Sequence, residues 1–300
     1  MAPTSERAIE GMRDNREHVE GILELRVKLN PLNSFYIPGW PGVFSAKIFH
    51  DIASSAGLRF SKTEEKDFSI TPIKPPIMDS YPEAGIYESK NSKEWRWLHI
   101  DEGDIISFNI YTSSRDLAAR IVSELNRMQT LKEPCGTLEL AGVEGRLIPV
   151  KRVGSVDYDG EYVNLRLVVH YLTPTRFMLK GLCLDYPSHI RLMKSLGKSY
   201  CRLTGLESLR AHVDKLALLN MEYEKTGDKT AQCYVDIGHE GNIRRLIRAF
   251  RGKASYLLQV RENEVEIIQE LLKVGEALGV GVNRSLGLGR IKTIITKIPD

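Results

Sequence analysis

Four glycines in eleven residues constrain this chain more than any other feature. Gly279, Gly281, Gly287 and Gly289 follow the spacing G-x-G-x5-G-x-G, with Arg290 next in line. Glycine loses more conformational freedom on folding than any other residue, so this density implies backbone at φ > 0 or close backbone approach. An amphipathic helix, Asn263 to Leu278, precedes the loop with Val265, Ile268, Leu272 and Gly275 on its inner face, and a strand, Leu288 to Ile298, follows. Helix, loop, strand is the wrong order for a dinucleotide fingerprint, which also wants glycine where Arg284 stands. No Lys-Ser or Lys-Thr pair follows the glycines, which excludes a P-loop. Two readings remain. The loop offers backbone amides to a phosphate beside Arg284, Ser285 and Arg290, or it is a tight packing turn.

Charge favours the first reading. Residues 241–300 hold 11 Lys and Arg against 6 Asp and Glu, a local net of +5, whereas the other 240 residues carry −2. Arg244, Arg245, Arg248, Arg251 and Lys253 fall within twelve residues that contain no acid. Such a concentration suits a polyanionic partner, nucleic acid above all. No apolar run reaches the roughly 18–20 residues of a membrane span, and the polar first twenty residues do not read as a secretory signal. The expected setting is the cytoplasm, with no membrane partner. Cys135, Cys183, Cys201 and Cys233 form no C-x-x-C pair and have no histidine at ligand spacing, so reduced thiols and no metal site are expected.

The 300 residues suit two domains. After a polar tail, residues 1–20, Leu23 to Leu29 alternates as a half-buried strand. A Pro38-Gly39-Trp40-Pro41-Gly42 turn leads to a helix over Val43 to Ser55, closed by Gly57. Thr71 to Glu83 reads as a loop and Ile105 to Tyr111 as a strand. Ser113 or Ser114 caps a helix with Leu117, Ile121, Leu125 and Met128 inside, and Gly136 to Val153 reads as a strand pair turning near Gly142 to Gly145. Asp157-Tyr158-Asp159-Gly160 marks a boundary between domains 21–156 and 157–300. The second half offers a strand at Tyr162 to Tyr171, a helix at Ser188 to Leu203, a strand at Lys253 to Val260, and the final helix and strand. Each half is thus a βαββαβ unit, and the expected fold is α+β: tandem ferredoxin-like (RRM-like) domains with antiparallel sheets.

Three segments resemble a known family: the glycine loop, Leu172-Thr173-Pro174-Thr175-Arg176-Phe177, and Phe250-Arg251-Gly252-Lys253-Ala254-Ser255-Tyr256. In this order they resemble the CRISPR-associated endoribonucleases that process repeat RNA (pre-crRNA), the sixth Cas family of the RAMP superfamily. The resemblance implies two ferredoxin-like domains, CRISPR repeat RNA as partner, and no cofactor. It further implies cleavage without metal, in which a ribose 2′-OH attacks the adjacent phosphate and leaves a 2′,3′-cyclic phosphate and a 5′-OH. A second copy of the chain and the subunits of a CRISPR effector complex are further partners it admits. The other reading is a RAMP subunit that holds guide RNA without cutting.

Family members that use histidine carry the base in or near the first helix, where His50 stands here, with a tyrosine ahead of it at Tyr36. His50 lies about 200° around the helix from Ile48 and faces outward, with Lys47 on its side. The expected roles are His50 as base, Lys47 as phosphate stabiliser and Tyr36 as leaving-group donor, with Arg59 and Lys62 as further cations. Gly279, Gly281, Arg284, Ser285, Gly287, Gly289, Arg290 and the five-residue basic cluster are the expected RNA contacts. His170, inside an apolar strand, reads as structural, and His189 and His212, on or beside helices of the second half, are weaker candidates. His239 adjoins the basic cluster, and Trp95 and Trp97 alternate on one side of a strand, as core or interface packing residues.

Overall fold

The computed structural model describes residues 21–60, 68–76, 78–92, 94, 96–153, 160–219, 221–240 and 243–299. The expected tail, Lys62, Trp95 and Asp157 to Asp159 lie outside them.

Alternation drives the first strand. In β1 (Gly21–Pro31) Leu23, Leu25, Val27 and Leu29 are all buried. β2 (Phe35–Ile37) follows, and then α1 (Pro41–Ser55) begins two residues earlier than its apolar spacing suggests, because Pro41 supplies the preset φ of a first helical turn. Short strands β3 (Phe68–Ile70), β4 (Ile86–Tyr87) and β5 (Leu98–Ile100) come next, and β6 (Ile106–Thr112) returns beside β1. α2 (Arg115–Arg127) is capped by Ser114, whose hydroxyl accepts from the Leu117 amide at 3.1 Å. β7 (Thr130–Glu133) and β8 (Gly136–Pro149) complete an antiparallel sheet in the order β3-β6-β1-β8-β7. Without the added β7, the order is that of one βαββαβ unit. Ile48, Phe49 and Ile52 of α1 and Leu117, Ile121 and Leu125 of α2 fill its core.

The expected turn near Gly142 to Gly145 does not form. β8 is one strand paired with β1 along its length, and a bulge opposite Lys28 and Leu29 absorbs the irregularity. The actual hairpin joins β7 to β8 at Glu133 and Gly136.

The second half repeats the plan. β9 (Tyr162–Thr175) is followed by a small hairpin, β10 (Phe177–Leu179) and β11 (Leu182–Leu184). α3 (His189–Thr204) ends at Gly205 in the left-handed region, which lets a second helix, α4 (Glu207–Leu219), start at once. The sequence pattern has no counterpart of α4. β12 (Met221–Glu240), β13 (Ile243–Arg261), α5 (Val265–Leu278) and β14 (Ile291–Lys297) follow. Their sheet runs β14-β9-β13-β12, the same arrangement as in the first half.

The compact units are not contiguous stretches of sequence. One holds residues up to Pro149 with Tyr234–Ile247 and Ser285–Gly287; the other holds Val150–Cys233, Arg248–Arg284 and Leu288 onward. A boundary at 156/157 therefore gives way to one at 149/150 with two returns. The first return follows from length: β12 and β13 run 20 and 19 residues against 7 in β14, and the far end of their hairpin pairs Tyr234 and Val235 with Tyr87 and Ile86 of β4.

All four cysteines are free. Burial pushes the Cys201 thiol up to about 11 and the Cys233 thiol up to about 12, so both stay protonated at neutral pH. No helix among the described residues is long and apolar enough to cross a membrane.

The loop glycines explain themselves here. Gly279, Gly281, Gly287 and Gly289 have φ of 75°, 76°, 74° and 74°. A Cβ on Gly289 would run into the Val280 carbonyl oxygen, and one on Gly281 into that of Arg176. Left-handed backbone alone costs a residue with a side chain about 1–2 kcal/mol. Gly289→Ala is therefore expected to destabilise the protein by about 2 kcal/mol or more, whereas Gly142→Ala, with no heavy atom within 4 Å of the new methyl, should cost little. Equal melting temperatures for the two variants would contradict this account.

Candidate functional site

In the second unit the three family-like segments form one device. The end of β9, Thr173 to Arg176, is the seat of the glycine loop. The Pro174 carbonyl accepts from the Gly289 amide at 3.0 Å, the Arg176 carbonyl accepts from Val282 at 3.0 Å, and the Thr173 hydroxyl accepts from Arg290 at 2.9 Å. Phe250 packs its ring on Tyr171 and Phe177 at 4.8 and 5.7 Å, and the Tyr171 and Tyr256 hydroxyls share a hydrogen bond of 2.9 Å. The motifs lie far apart in sequence and meet around the end of one strand.

This arrangement corrects the expected amide surface. The Gly279 amide donates to Gly275, Val280 to Gly289, and Gly281 to the Ser195 hydroxyl. With Val282, Gly289 and Arg290, six loop amides are committed within the protein. Gly279, Gly287 and Gly289 are buried, so they shape the turn and do not themselves face a ligand. Arg290 is buried too: its guanidinium donates to the Ala277 carbonyl near the end of α5, where a cation complements the helix dipole. Arg284, half-buried, donates to the Ser199 hydroxyl at 2.9 Å. Of the loop, residues 281–286 retain partial exposure. Ser285 to Gly287 belong to the first unit, where the Leu286 carbonyl accepts from the Trp40 indole at 2.7 Å.

The basic cluster separates into roles. In the first unit Arg244 sits beside buried Asp236, 3.5 Å from its Oδ2, and 4.9 Å over the Tyr87 ring. Arg245, its neighbour on β13, is exposed. In the second unit Arg248 is paired with Asp185, and Arg251 and Lys253 are half-exposed. Arg244 and Arg248 are thus anchors with their charge compensated. Exposed His239 belongs to the first unit.

The three catalytic candidates, all in the first unit, stand in different surroundings. His50 is half-buried, its ring centroid 5.5, 5.6 and 6.3 Å from those of Phe49, Phe60 and Phe68 in edge-on arrangements. Lys47 is paired with Asp51 at 2.8 Å and with Glu133. Burial pulls its pKa down, but the hydrogen bonds to these carboxylates outweigh that and hold it above the ordinary lysine value. Burial pushes the Glu133 carboxyl up against the pull of Lys47. His50 thus packs toward β3 and Lys47 toward β7, opposite edges of a sheet with three strands between them. Arg59 is exposed near His50 in sequence.

Tyr36 is 54% exposed and stacks on His99, its cross-strand partner on β5, at 4.5 Å, with Trp97 at 6.0 Å. Trp97 is 50% exposed and so is not a core residue, the first of the two packing roles expected of it. The His99 Nδ1 lies 3.6 Å from Asp101. Sequence reasoning passes over His99; its one signal is the Trp97-x-His99 alternation, and the partner strand lies about sixty residues earlier. Of the remaining histidines, His212 is nearly buried 3.3 Å from Glu264 and His189 is half-buried at the start of α3, both with pKa lowered by burial. Among the described residues no group of three His, Cys, Asp or Glu side chains converges as a metal site.

Residues 169–291 match the family model described as CRISPR-associated endoribonuclease Cas6. A CRISPR-associated endoribonuclease Cas6 from Streptococcus thermophilus is 31% identical over 120 residues, 40% of this chain and 47% of the relative, so the match spans about half of that protein. Among solved structures, a Thermus thermophilus Cas6 aligns with TM-score 0.60 at 14% identity, covering 91% of this chain and 98% of that one. A Cas6-related protein from Pyrococcus furiosus aligns with TM-score 0.53 at 16% identity, covering 91% and 99%. A RAMP protein described as binding different RNA substrates gives 0.51 at 16%, covering 91% and 99%. These structural likenesses establish the fold. The family resembled by the sequence is the family that the comparisons return.

The cluster's division into anchors and exposed cations has a measurable consequence. Arg244→Ala leaves the fully buried Asp236 without its cation and is expected to cost about 3 kcal/mol of stability, as breaking a buried pair does. Arg245→Ala, at an exposed position, should lower the melting temperature far less. Equal melting behaviour of the two variants would remove the distinction.

Proposed function

We propose that this chain is an endoribonuclease that cuts CRISPR repeat RNA, with a ribose 2′-OH of the substrate as nucleophile. The observation that carries this reading is the convergence of the three family-like segments around the end of β9, inside the region that matches the Cas6 family model. The exposed cations Arg245 and, in the other unit, Lys292, with half-exposed Lys253, support a polyanionic substrate.

The chemistry needs a base at the 2′-OH and an acid at the leaving oxygen. In this reading His50 accepts the 2′-OH proton, O2′ forms a bond to phosphorus, and the P–O5′ bond breaks. The products are a 2′,3′-cyclic phosphate and a 5′-oxygen that leaves as a hydroxyl after taking a proton from the Tyr36 phenol. Neutral imidazole is suited to the first step because its ordinary pKa lies near neutrality. The Phe49, Phe60 and Phe68 rings restrict His50 and shield one side of it from water. Lys47 already neutralises Asp51 and Glu133, so its part here is to hold α1 against β7.

Incubation of the purified protein with labelled repeat RNA in excess chelator tests the reading. Specific cutting is expected, with a loss of 100-fold or more in His50→Ala at retained RNA binding. Undiminished cutting by His50→Ala would move the base elsewhere, with His99 next to examine. Binding without cutting by the unaltered protein would favour a non-catalytic RNA-holding subunit.

A further inference from the structure

The open face of the second unit's sheet carries a row of cations outside the expected contacts. His170 on β9 lies directly across from Lys253 on β13 and from Lys292 on β14. Its strand neighbours Val169 and Tyr171 point into the core, so His170 and the two lysines share the other face. Lys292 is exposed, and His170 and Lys253 are half-exposed. Arg166 stands on the same face four residues earlier, exposed, and Ile294 beside it is 52% exposed.

Among the described residues no carboxylate pairs with Lys253 or Lys292, so the row keeps its charge. The charged groups that bear on His170 are these two lysines, and Arg166 lies four residues earlier on the same face of its own strand. Like charges in neighbouring strand positions destabilise a sheet. Three other lysines of this unit do have a carboxylate partner: Lys151 has Glu266, Lys273 has Glu270 and Lys297 has Glu262. Neighbouring strands lie about 4.8 Å apart, so the two lysine backbones are about 10 Å apart with the imidazole between them, close enough for both ammonium groups to meet one phosphate.

We propose that Lys253, His170 and Lys292 form a phosphate-binding row on the sheet face that holds a backbone phosphate of the RNA, with the imidazole protonated in the bound state. The inference rests on the RNA-binding part of the proposed function and is independent of which residue cuts. Burial, first, and then the two lysines lower the pKa of His170 in the free protein, so the ring is neutral at pH 7. An RNA phosphate reverses the sign of the local field and raises that pKa. Binding is then coupled to proton uptake: affinity rises as pH falls toward the free-state pKa and gains nothing further below it.

Fluorescence anisotropy with a labelled single-stranded RNA, in chelator and over a series of salt concentrations, tests this on the full chain. Lys253→Ala/Lys292→Ala is expected to weaken binding about tenfold and to flatten the salt slope by about 0.7 for each phosphate no longer neutralised. Lys292→Arg should retain the slope. His170→Gln should lose the strengthening between pH 7 and pH 5.5 seen in the unaltered protein. The double variant should melt no lower than the parent, because it loses only a repulsion. An unchanged salt slope in the double variant, while the parent binds RNA, overturns the row and leaves the proposed function standing. Absence of RNA binding by the parent overturns both.

Discussion

The structure depends on a set of backbone hydrogen bonds that only glycine geometry permits. Carbonyls of Pro174 and Arg176, at the end of β9, accept from Gly289 and Val282, and the loop closes on itself through Val280 and Gly289. These bonds form because four positions take φ near +75° and because no Cβ intrudes between the two backbones. The hydroxyl of Thr173 then holds Arg290, whose guanidinium closes the end of α5. The buried loop glycines and Arg290, which read in sequence as part of a surface for a ligand, are in the fold the fastening of the last helix and strand to the first strand of the second unit.

That fastening explains where sequence reasoning succeeded. The glycines, the Thr173 to Arg176 stretch and the Phe250 to Tyr256 strand each carry local signals, and all three are present in the fold as expected elements. Periodicity found α2, α5 and β9 to within a few residues, since each has one buried face. The same local logic failed where long-range pairing decides. Gly142 and Gly145 look like a turn, but pairing with β1 keeps β8 extended. The stacking of Tyr36 on His99 depends on β2 meeting β5, which no local pattern encodes. The pairing of Lys47 with Glu133, likewise, joins α1 to a strand about eighty residues away and changes the part that lysine plays.

Charge was legible as a total and illegible in detail. The excess of basic residues after 240 pointed to a polyanion, and the fold leaves that reading in place. Yet Arg244 and Arg290 turn inward to Asp236 and the Ala277 carbonyl, and Arg248, though exposed, is paired with Asp185. A guanidinium with five donors readily serves such buried anchoring, whereas Lys253 and Lys292 keep their ammonium groups on the open face of the sheet. In the proposed row the cations that meet RNA are the ones without a carboxylate partner, and these become visible only when strand register is known.

The central claim is that the substrate's own ribose hydroxyl does the cutting, with the protein supplying a base and an acid. A repeat RNA carrying a single 2′-deoxyribose at the nucleotide whose 3′-phosphodiester is cut examines this most directly. The account requires that this RNA bind as tightly as the unmodified repeat and remain intact at that position. Scission of the deoxy-substituted bond would show that the nucleophile comes from elsewhere, and the assignment of His50 and Tyr36 would fall with it.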